Sequence, residues 1–330
     1  MTAHCKRVLV TGGTGFVGGA VVQALTRKSG VEPVAAVRAR LTDDGNPLPA
    51  HHVVLGNLDE HTPWGAALAG VDAVIHTAAR VHVTNDQAAD PLSKFRRVNV
   101  SGTLNLARQA AAAGVKRLVF VSSIKVNGER TLQGKRFKPD DACMPQDPYG
   151  LSKYEAEVGL RAVAAETGLE VTIVRPPLVY GPGVKANFAA MVSWLSRGVP
   201  LPLGAVVHNR RSLVALDNLV DLLLVCATHP AAANQTFLVS DDEDVSTADL
   251  LRRIGQTCKA AASASGGAGI GCRCRGQGRY GAALAQQLAA GHFQNQASAG
   301  LATACVFGRR LKAHCFCLYI VLFNKPLFLF

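Results

Sequence analysis

The chain has 330 residues, 48% of them hydrophobic and 18% charged, with a formal net charge of +12, which allows a large core in one α/β unit or two domains. The opening MTAHCKRVLVTGG lacks a signal-peptide pattern, and no run of about 18 apolar residues follows, so the expectation is a cytoplasmic soluble protein with no membrane partner. Nor does the charge mark a nucleic-acid binder: residues 1 to 257 carry 27 basic against 23 acidic side chains, whereas 258 to 330 hold eight Lys or Arg, six of the nine Cys and no acid at all.

From residue 6 to about 175, short β-branched runs alternate with helical stretches, which predicts a parallel sheet with crossover helices. The strands expected are RVLVTG (7 to 12), EPVAAVR (32 to 38), HHVVLGN (51 to 57), VDAVIHTA (71 to 78), KRLVFVSS (116 to 123) and LEVTIVRP (169 to 176). Helices are expected between them, notably over 15 to 28, 92 to 113 and 149 to 167. Beyond 177 the rhythm changes to Pro/Gly-rich loops, with helices expected near 187 to 197, 217 to 228 and 246 to 257. The fold class is therefore α/β, a Rossmann-type doubly wound parallel sheet over 1 to 176 with a smaller C-terminal substrate lobe over 177 to 257, interleaved with it.

The stretch VLVTGGTGFVGGAVVQAL places Gly12, Gly15 and Gly18 directly after the first strand, at the opening of a helix. In that context Gly12 permits the tight turn, Gly15 lets backbone amides approach a pyrophosphate, and Gly18 lets helix pack close to strand. After the second strand, where an acid would bind a ribose 2′-hydroxyl, stand Arg38 and Arg40. A guanidinium suits a 2′-phosphate, so the cofactor is NAD or NADP; two solvated arginines beside a cofactor held by other groups is the alternative. Asn57, after the third strand, is placed to hold the adenine amino group.

Tyr149 and Lys153 in PYGLSK are spaced i, i+4, so on a helix they share one face. With the other motifs, TGGTGFVG, HTAARVH, NVSGTLNL, VFVSSIKVNG and RPPLVYGPG, the chain resembles the extended short-chain dehydrogenase/reductase family over about residues 6 to 257. Within that family it is most similar to the nucleotide-sugar epimerases, dehydratases and 4-ketoreductases. The resemblance implies a catalytic triad of Ser123, Tyr149 and Lys153. It implies a cofactor site of Gly12, Gly15, Phe16, Val17, Gly18, Arg38, Asn57, Leu58, Thr77, Ala78, Ala79, Asn99, Tyr149, Lys153 and Pro176, with Asn99 also ordering its helix. By the same resemblance Asn187 and Arg210 meet the diphosphate of a UDP-linked sugar, with Arg211 the alternative ligand, and the protein is a homodimer. The chemistry implied lies at C4 of the hexose, as a 4-ketoreductase or a 4-epimerase of surface-polysaccharide synthesis; a steroid- or flavonoid-type reductase and an inactive cofactor-binding protein are the alternatives. Dehydration needs an acid/base pair after the serine, and here Ile124 and Lys125 follow it.

Physical chemistry supports the pair independently. A phenol near pKa 10 is a poor base at neutral pH, but a neighbouring ammonium and a cationic nicotinamide both favour its ionised form.

After Thr257 no apolar period fits helix or strand. An Ala/Gly linker is one reading, and a metal site from Cys272, Cys274, Cys315 and Cys317 is disfavoured, because Cys-x-Cys pairs so far apart are no usual zinc framework. Codons for QLAAGHFQNQASAGLATACVFGRRL, Gln287 to Leu311, can be chosen so that reading one base later gives SLQLDISKTRQALGWQPPVSLEEGL, the kind of C-terminus the family carries. The expectation is a one-base frameshift near Cys258 and an aberrant tail over 258 to 330 with no metal.

Overall fold

The structure is a computed structural model that describes residues 6–39, 51–81, 90–132, 134–184 and 206–264. The chain divides into two compact units, residues 1–177 with 219–239 and residues 178–218 with 240 onward.

In the first unit β1 (Lys6–Thr11), β2 (Val31–Val37), β3 (His51–Val54), β4 (Ala73–His76), β5 (Arg117–Val121), β6 (Glu170–Arg175) and β9 (Thr236–Leu238) form, among the described residues, a seven-stranded sheet in the order β3-β2-β1-β4-β5-β6-β9. Each neighbouring pair is parallel. β5 is buried along its whole length, and only the first residues of β1 and β6 reach solvent. That is why these strands read as continuous Val/Leu/Ile runs rather than alternating ones. Pro33 interrupts β2 without breaking it: β2 pairs with β3 only from Val34 on, so the proline's missing N–H falls before that ladder begins. The order reverses between β1 and β4, which opens a crevice at the carboxyl ends of those two strands.

Helices α1 (Phe16–Thr26), α2 (Gly65–Leu68), α3 (Pro91–Phe95), α4 (Thr103–Ala112) and α5 (Pro148–Thr167) join these strands. Leu9, Val34, Leu68, Leu106, Phe120, Leu160 and Ile173 belong to one buried cluster between sheet and helices. The single helix expected over 92 to 113 is three pieces: α3, a π-helical stretch Arg96–Gly102 and α4. Its wider turns take Asn99, 1% exposed, into the interior. Gly102 lies against residues 58 and 59, where a Cβ would meet the Asp59 nitrogen at 3.2 Å. α5 has the ends its sequence announces: Asp147 caps it through Gly150 N at 2.6 Å, Pro148 opens its first turn, and Gly168 closes it at φ 77°.

The second unit holds β7 (Leu178–Tyr180), β8 (Arg211–Ala215) and β10 (Asp244–Val245) in a small sheet of order β10-β8-β7, and α7 (Thr247–Ala264) follows. Asp241 ties this unit together, accepting from Tyr180 Oη at 2.5 Å, Ala215 N at 2.9 Å and Asn218 Nδ2 at 2.7 Å. α6 (Leu216–Cys226) covers the helix expected near 217 to 228, and α7 continues seven residues past the expected stop at 257. The helix expected near 187 to 197, and the tail from 265 on with Cys272, Cys274, Cys315 and Cys317, lie outside the described residues. Among the described residues no helix is long and apolar enough to cross a membrane, and no group of His, Cys, Asp and Glu could hold a metal.

Candidate active site

The glycine turn leaves β1 at Thr11. Gly12 sits at φ 69°, a backbone region costly to other residues, and Gly15 N donates to Gly12 O at 2.8 Å. A Cβ on Gly18 would lie 2.2 Å from Gly12 O, so helix α1 can reach the turn only because Gly18 has no side chain. Across the crevice, Thr77 Oγ1 donates to Thr11 O at 2.6 Å and Ala78 N donates to Thr11 Oγ1 at 3.2 Å, which pins residues 77 and 78 beside the turn. Ala79 follows them, half-buried. Gly15 is the N-cap of α1 and supplies no capping side chain, so the N–H groups opening that helix, at Phe16 and Val17, are left for an anion. The residues therefore fit a dinucleotide diphosphate. Arg38 is exposed directly after β2, Asn57 is exposed after β3 and Leu58 is half-buried beside it. Arg40 lies outside the described residues.

At the carboxyl end of β5, Ser122 N donates to Val174 O at 2.7 Å and Ile124 N to Pro176 O at 2.9 Å, so the serine turn is bound to the end of β6. Ser123 caps a single 3-10 turn, Ile124–Val126, by accepting from Lys125 N at 3.3 Å. Tyr149 stands in the first turn of α5, edge-on to Phe95 with ring centroids 6.1 Å apart. One turn later Lys153 is 2% exposed, its ammonium 4.1 Å from the centre of the Phe120 ring. Asn99 accepts from Arg80 N at 2.8 Å and donates to Arg80 O at 3.0 Å and to Ser152 Oγ at 2.9 Å. Ser152 Oγ in turn donates to Tyr149 O at 2.8 Å. The buried amide thus links the segment after β4 to the turn of α5 that carries the tyrosine.

Burial dominates the electrostatics. The Tyr149 phenol is pushed up to about 12, first by desolvation and then by the Asp147 carboxylate. Lys153 is pushed down to about 7 by desolvation, against the attraction of Glu157. The phenol pKa thus lies above its ordinary value, because dry surroundings and the Asp147 carboxylate both disfavour the phenolate. His76 is held neutral, its pKa lowered to about 3 by burial and by Lys153. It bridges Thr11 Oγ1 at 2.6 Å and Thr103 Oγ1 at 2.9 Å.

In the second unit, Arg210 is exposed, while Arg211 on β8 is half-buried. Its Nε is buried without a hydrogen-bond partner among the described residues, and desolvation lowers its pKa. Asn187 lies outside the described residues.

Two layers escaped the sequence reading. Glu157, one turn beyond Lys153, is fully buried and accepts from Ser122 Oγ at 2.6 Å and from Arg175 Nε at 2.9 Å and Nη2 at 2.6 Å. Arg175 Nη1 also donates to Asn127 Oδ1 at 2.9 Å. Glu157 continues the i, i+4 series of Tyr149 and Lys153, a visible signal; that Arg175 meets it depends on the pairing of β5 with β6. The second layer is the Lys125–Asp147 ion pair, whose partners are 22 residues apart.

The profile of the NAD dependent epimerase/dehydratase family matches residues 8–240. A UDP-glucose 4-epimerase of Vibrio cholerae is 50% identical over 249 residues, 76% of this chain and 75% of that protein. A 3 beta-hydroxysteroid dehydrogenase/Delta 5-->4-isomerase of Mycobacterium tuberculosis is 28% identical over 276 residues, 78% of this chain and 71% of that one. Among solved structures, MoeE5 in complex with UDP-glucose and NAD superposes with a TM-score of 0.64 at 26% identity, covering 78% of this chain and 82% of MoeE5. The glycine turn, the tyrosine–lysine helix and a profile match spanning both lead to one conclusion: the chain belongs to the NAD dependent epimerase/dehydratase family.

Proposed function

We propose that the protein is an NAD-dependent UDP-sugar 4-epimerase that inverts C4 of UDP-glucose or UDP-N-acetylglucosamine. The observation carrying this reading is the 50% identity to a UDP-glucose 4-epimerase over a stretch that contains the whole triad, against 28% to the steroid enzyme. The bound nicotinamide supplies a reversible hydride acceptor at C4. Tyr149 Oη takes the C4 hydroxyl proton as the sugar is oxidised and returns it after the 4-keto sugar has turned over in the site. Ser123 Oγ hydrogen-bonds the same oxygen, which holds it in register through both half-reactions. The Lys153 ammonium holds the nicotinamide ribose and favours the phenolate, offsetting the burial that raises the phenol.

Gly12, Gly15 and Gly18 seat the dinucleotide diphosphate, with Phe16 and Val17 N–H groups facing it. Arg211, with Arg210 beside it, takes the UDP diphosphate; the Arg211 Nε, buried without a hydrogen-bond partner among the described residues, supports that choice. A homodimer through α4 and α5, as the family resemblance implies, belongs to the same reading. The physiological setting consistent with such an activity is synthesis of surface polysaccharide.

The test is to incubate the purified protein with UDP-glucose, and separately with UDP-N-acetylglucosamine, and to measure the C4 epimer formed without added cofactor. Appearance of UDP-galactose or UDP-N-acetylgalactosamine, with no net change in NADH and loss of about 100-fold or more in Tyr149→Phe, is expected. Stoichiometric oxidation of NADH or NADPH by a UDP-4-keto sugar, with no epimer formed, would replace the epimerase by a 4-ketoreductase.

A further inference from the structure

Ser123 and Tyr149 stand at opposite ends of the connection between β5 and α5, and proton transfer at one sugar oxygen requires both hydroxyls within hydrogen-bond reach of it. Among the described residues of that connection, 122 to 147, the one helical piece is the 3-10 turn Ile124–Val126, so its path depends on bonds other than those of regular structure. A buried polar node supplies several of them. Glu157 accepts from Ser122 Oγ at 2.6 Å, directly before Ser123. Arg175, ending β6, holds the same carboxylate through Nε at 2.9 Å and Nη2 at 2.6 Å. Its Nη1 donates to Asn127 Oδ1 at 2.9 Å, directly after the 3-10 turn. Asn127 Nδ2 in turn donates to Lys138 O at 2.9 Å, and the guanidinium also reaches Pro139 O and Cys143 Sγ, each at 3.4 Å. Ser122, Asn127, Glu157 and Arg175 are each at most 3% exposed.

We infer that Glu157 and Arg175 are positioning residues that clamp the turn presenting Ser123, at Ser122 before it and Asn127 after it, onto the helix that carries Tyr149 and Lys153. The inference rests on the epimerase reading for its kinetic readout. Glu157 stands on α5 eight residues beyond Tyr149 and four beyond Lys153, and the hydrogen bonds of the helix keep those intervals constant. The main-chain bonds of Ser122 N to Val174 O and Ile124 N to Pro176 O set the serine turn against the sheet. The clamp sets it against the helix. As a source of stability a buried ion pair does little that apolar side chains of the same volume would not, because both charges lose their water. What it adds is direction, since a guanidinium bonded through two N–H groups to two carboxylate oxygens allows one orientation of each partner.

The experiment compares full-length wild type, Ser122→Ala, the apolar pair Glu157→Met with Arg175→Met, and the triple variant that combines them. Turnover of UDP-glucose is expressed per folded, nucleotide-loaded molecule, with KM measured beside it. Amide hydrogen exchange of residues 122 to 127, followed by mass spectrometry, needs no substrate. The apolar pair is expected to lose on the order of tenfold to 100-fold in kcat, with KM within about twofold and faster exchange in the serine turn while the rest of the sheet is unchanged. Ser122→Ala, which leaves the ion pair in place, is expected to show the same pattern with a loss on the order of threefold to tenfold. The triple variant should turn over within about twofold of the apolar pair, because the Ser122 bond is already gone there. Losses that fall on KM instead of kcat, a Ser122→Ala effect that adds in full to that of the pair, or a Ser122→Ala kcat and exchange within about twofold of wild type would overturn the inference. If the apolar pair does not fold, Ser122→Ala decides alone. If wild type epimerises no UDP-sugar, the epimerase reading fails, and the exchange still decides: faster exchange confined to 122 to 127 supports the clamp, and unchanged exchange refutes it.

Discussion

Replacing Lys153 by methionine separates the cost of burying a charge from the use made of it. Lys153 is 2% exposed, and its pKa is pushed down from 10.5 to about 7, first by desolvation. At 1.36 kcal/mol per pKa unit, the folded chain carries a charge-burial penalty on the order of 5 kcal/mol at pH 6. The penalty is present in full below about pH 7, where both folded and unfolded chains hold the proton. Between about pH 7 and pH 10.5 the unfolded chain binds the extra proton, so stability rises with pH by up to about 1.4 kcal/mol per unit, and above that the penalty is gone. Methionine keeps most of the volume beside Phe120 and has no proton to lose. The variant is expected to be inactive, more stable than wild type by several kcal/mol near pH 6, and to converge with wild type toward pH 10. Urea unfolding of both proteins after removal of bound nucleotide, followed by far-ultraviolet ellipticity across about pH 6 to 10, measures this directly. Because the other titrating groups are common to both chains, the difference reports residue 153 together with its coupling to His76 and Glu157. Parallel stability curves would show that Lys153 is not desolvated in the way described.

Gly18→Ala places a methyl 2.2 Å from Gly12 O; backbone must move, so a loss of about 1–3 kcal/mol and weakened NAD binding by fluorescence titration are expected. Glu157→Gln leaves Arg175 buried beside a neutral partner and should cost about 3–5 kcal/mol in urea unfolding, whereas Glu157→Gln combined with Arg175→Met should cost less than the single change. Arg211→Met is expected to weaken UDP binding by calorimetry more than Arg210→Met does, because the Arg211 Nε is buried without a hydrogen-bond partner among the described residues; the reverse order would assign the diphosphate to Arg210. NAD binding well above NADP binding is expected for the family, and Arg38→Ser should narrow any residual NADP affinity further.

Much of this was legible from residues because it depends on contacts close in sequence. Gly12, Gly15 and Gly18 follow a strand and open a helix; Gly12 takes the turn at positive φ, and Gly15 and Gly18 both answer to Gly12 O, although Gly12 and Gly18 also face Thr77 across the fold. Asp147, Pro148 and Gly168 bound α5 by local hydrogen bonds, and the i, i+4 spacing of Tyr149 and Lys153 already puts them on one face. The strand–helix alternation gives the parallel sheet, since strands buried on both faces have to be apolar throughout.

What no local pattern contained are the contacts made across the sheet. The π-helical stretch that buries Asn99 is written as ordinary helix in its sequence; it exists because Asn99 finds Arg80 and Ser152 across the fold. β9 is three residues of unremarkable sequence, a strand only because β6 offers it an edge. The direction of the Tyr149 and Lys153 shifts depends on how much water the packing excludes, which spacing cannot express. The sequence determined the glycine turn and the shared helix face of Tyr149 and Lys153, through local geometry. The tertiary structure alone decided what surrounds them, because Glu157 meets Arg175 and Lys125 meets Asp147 only once distant segments have packed.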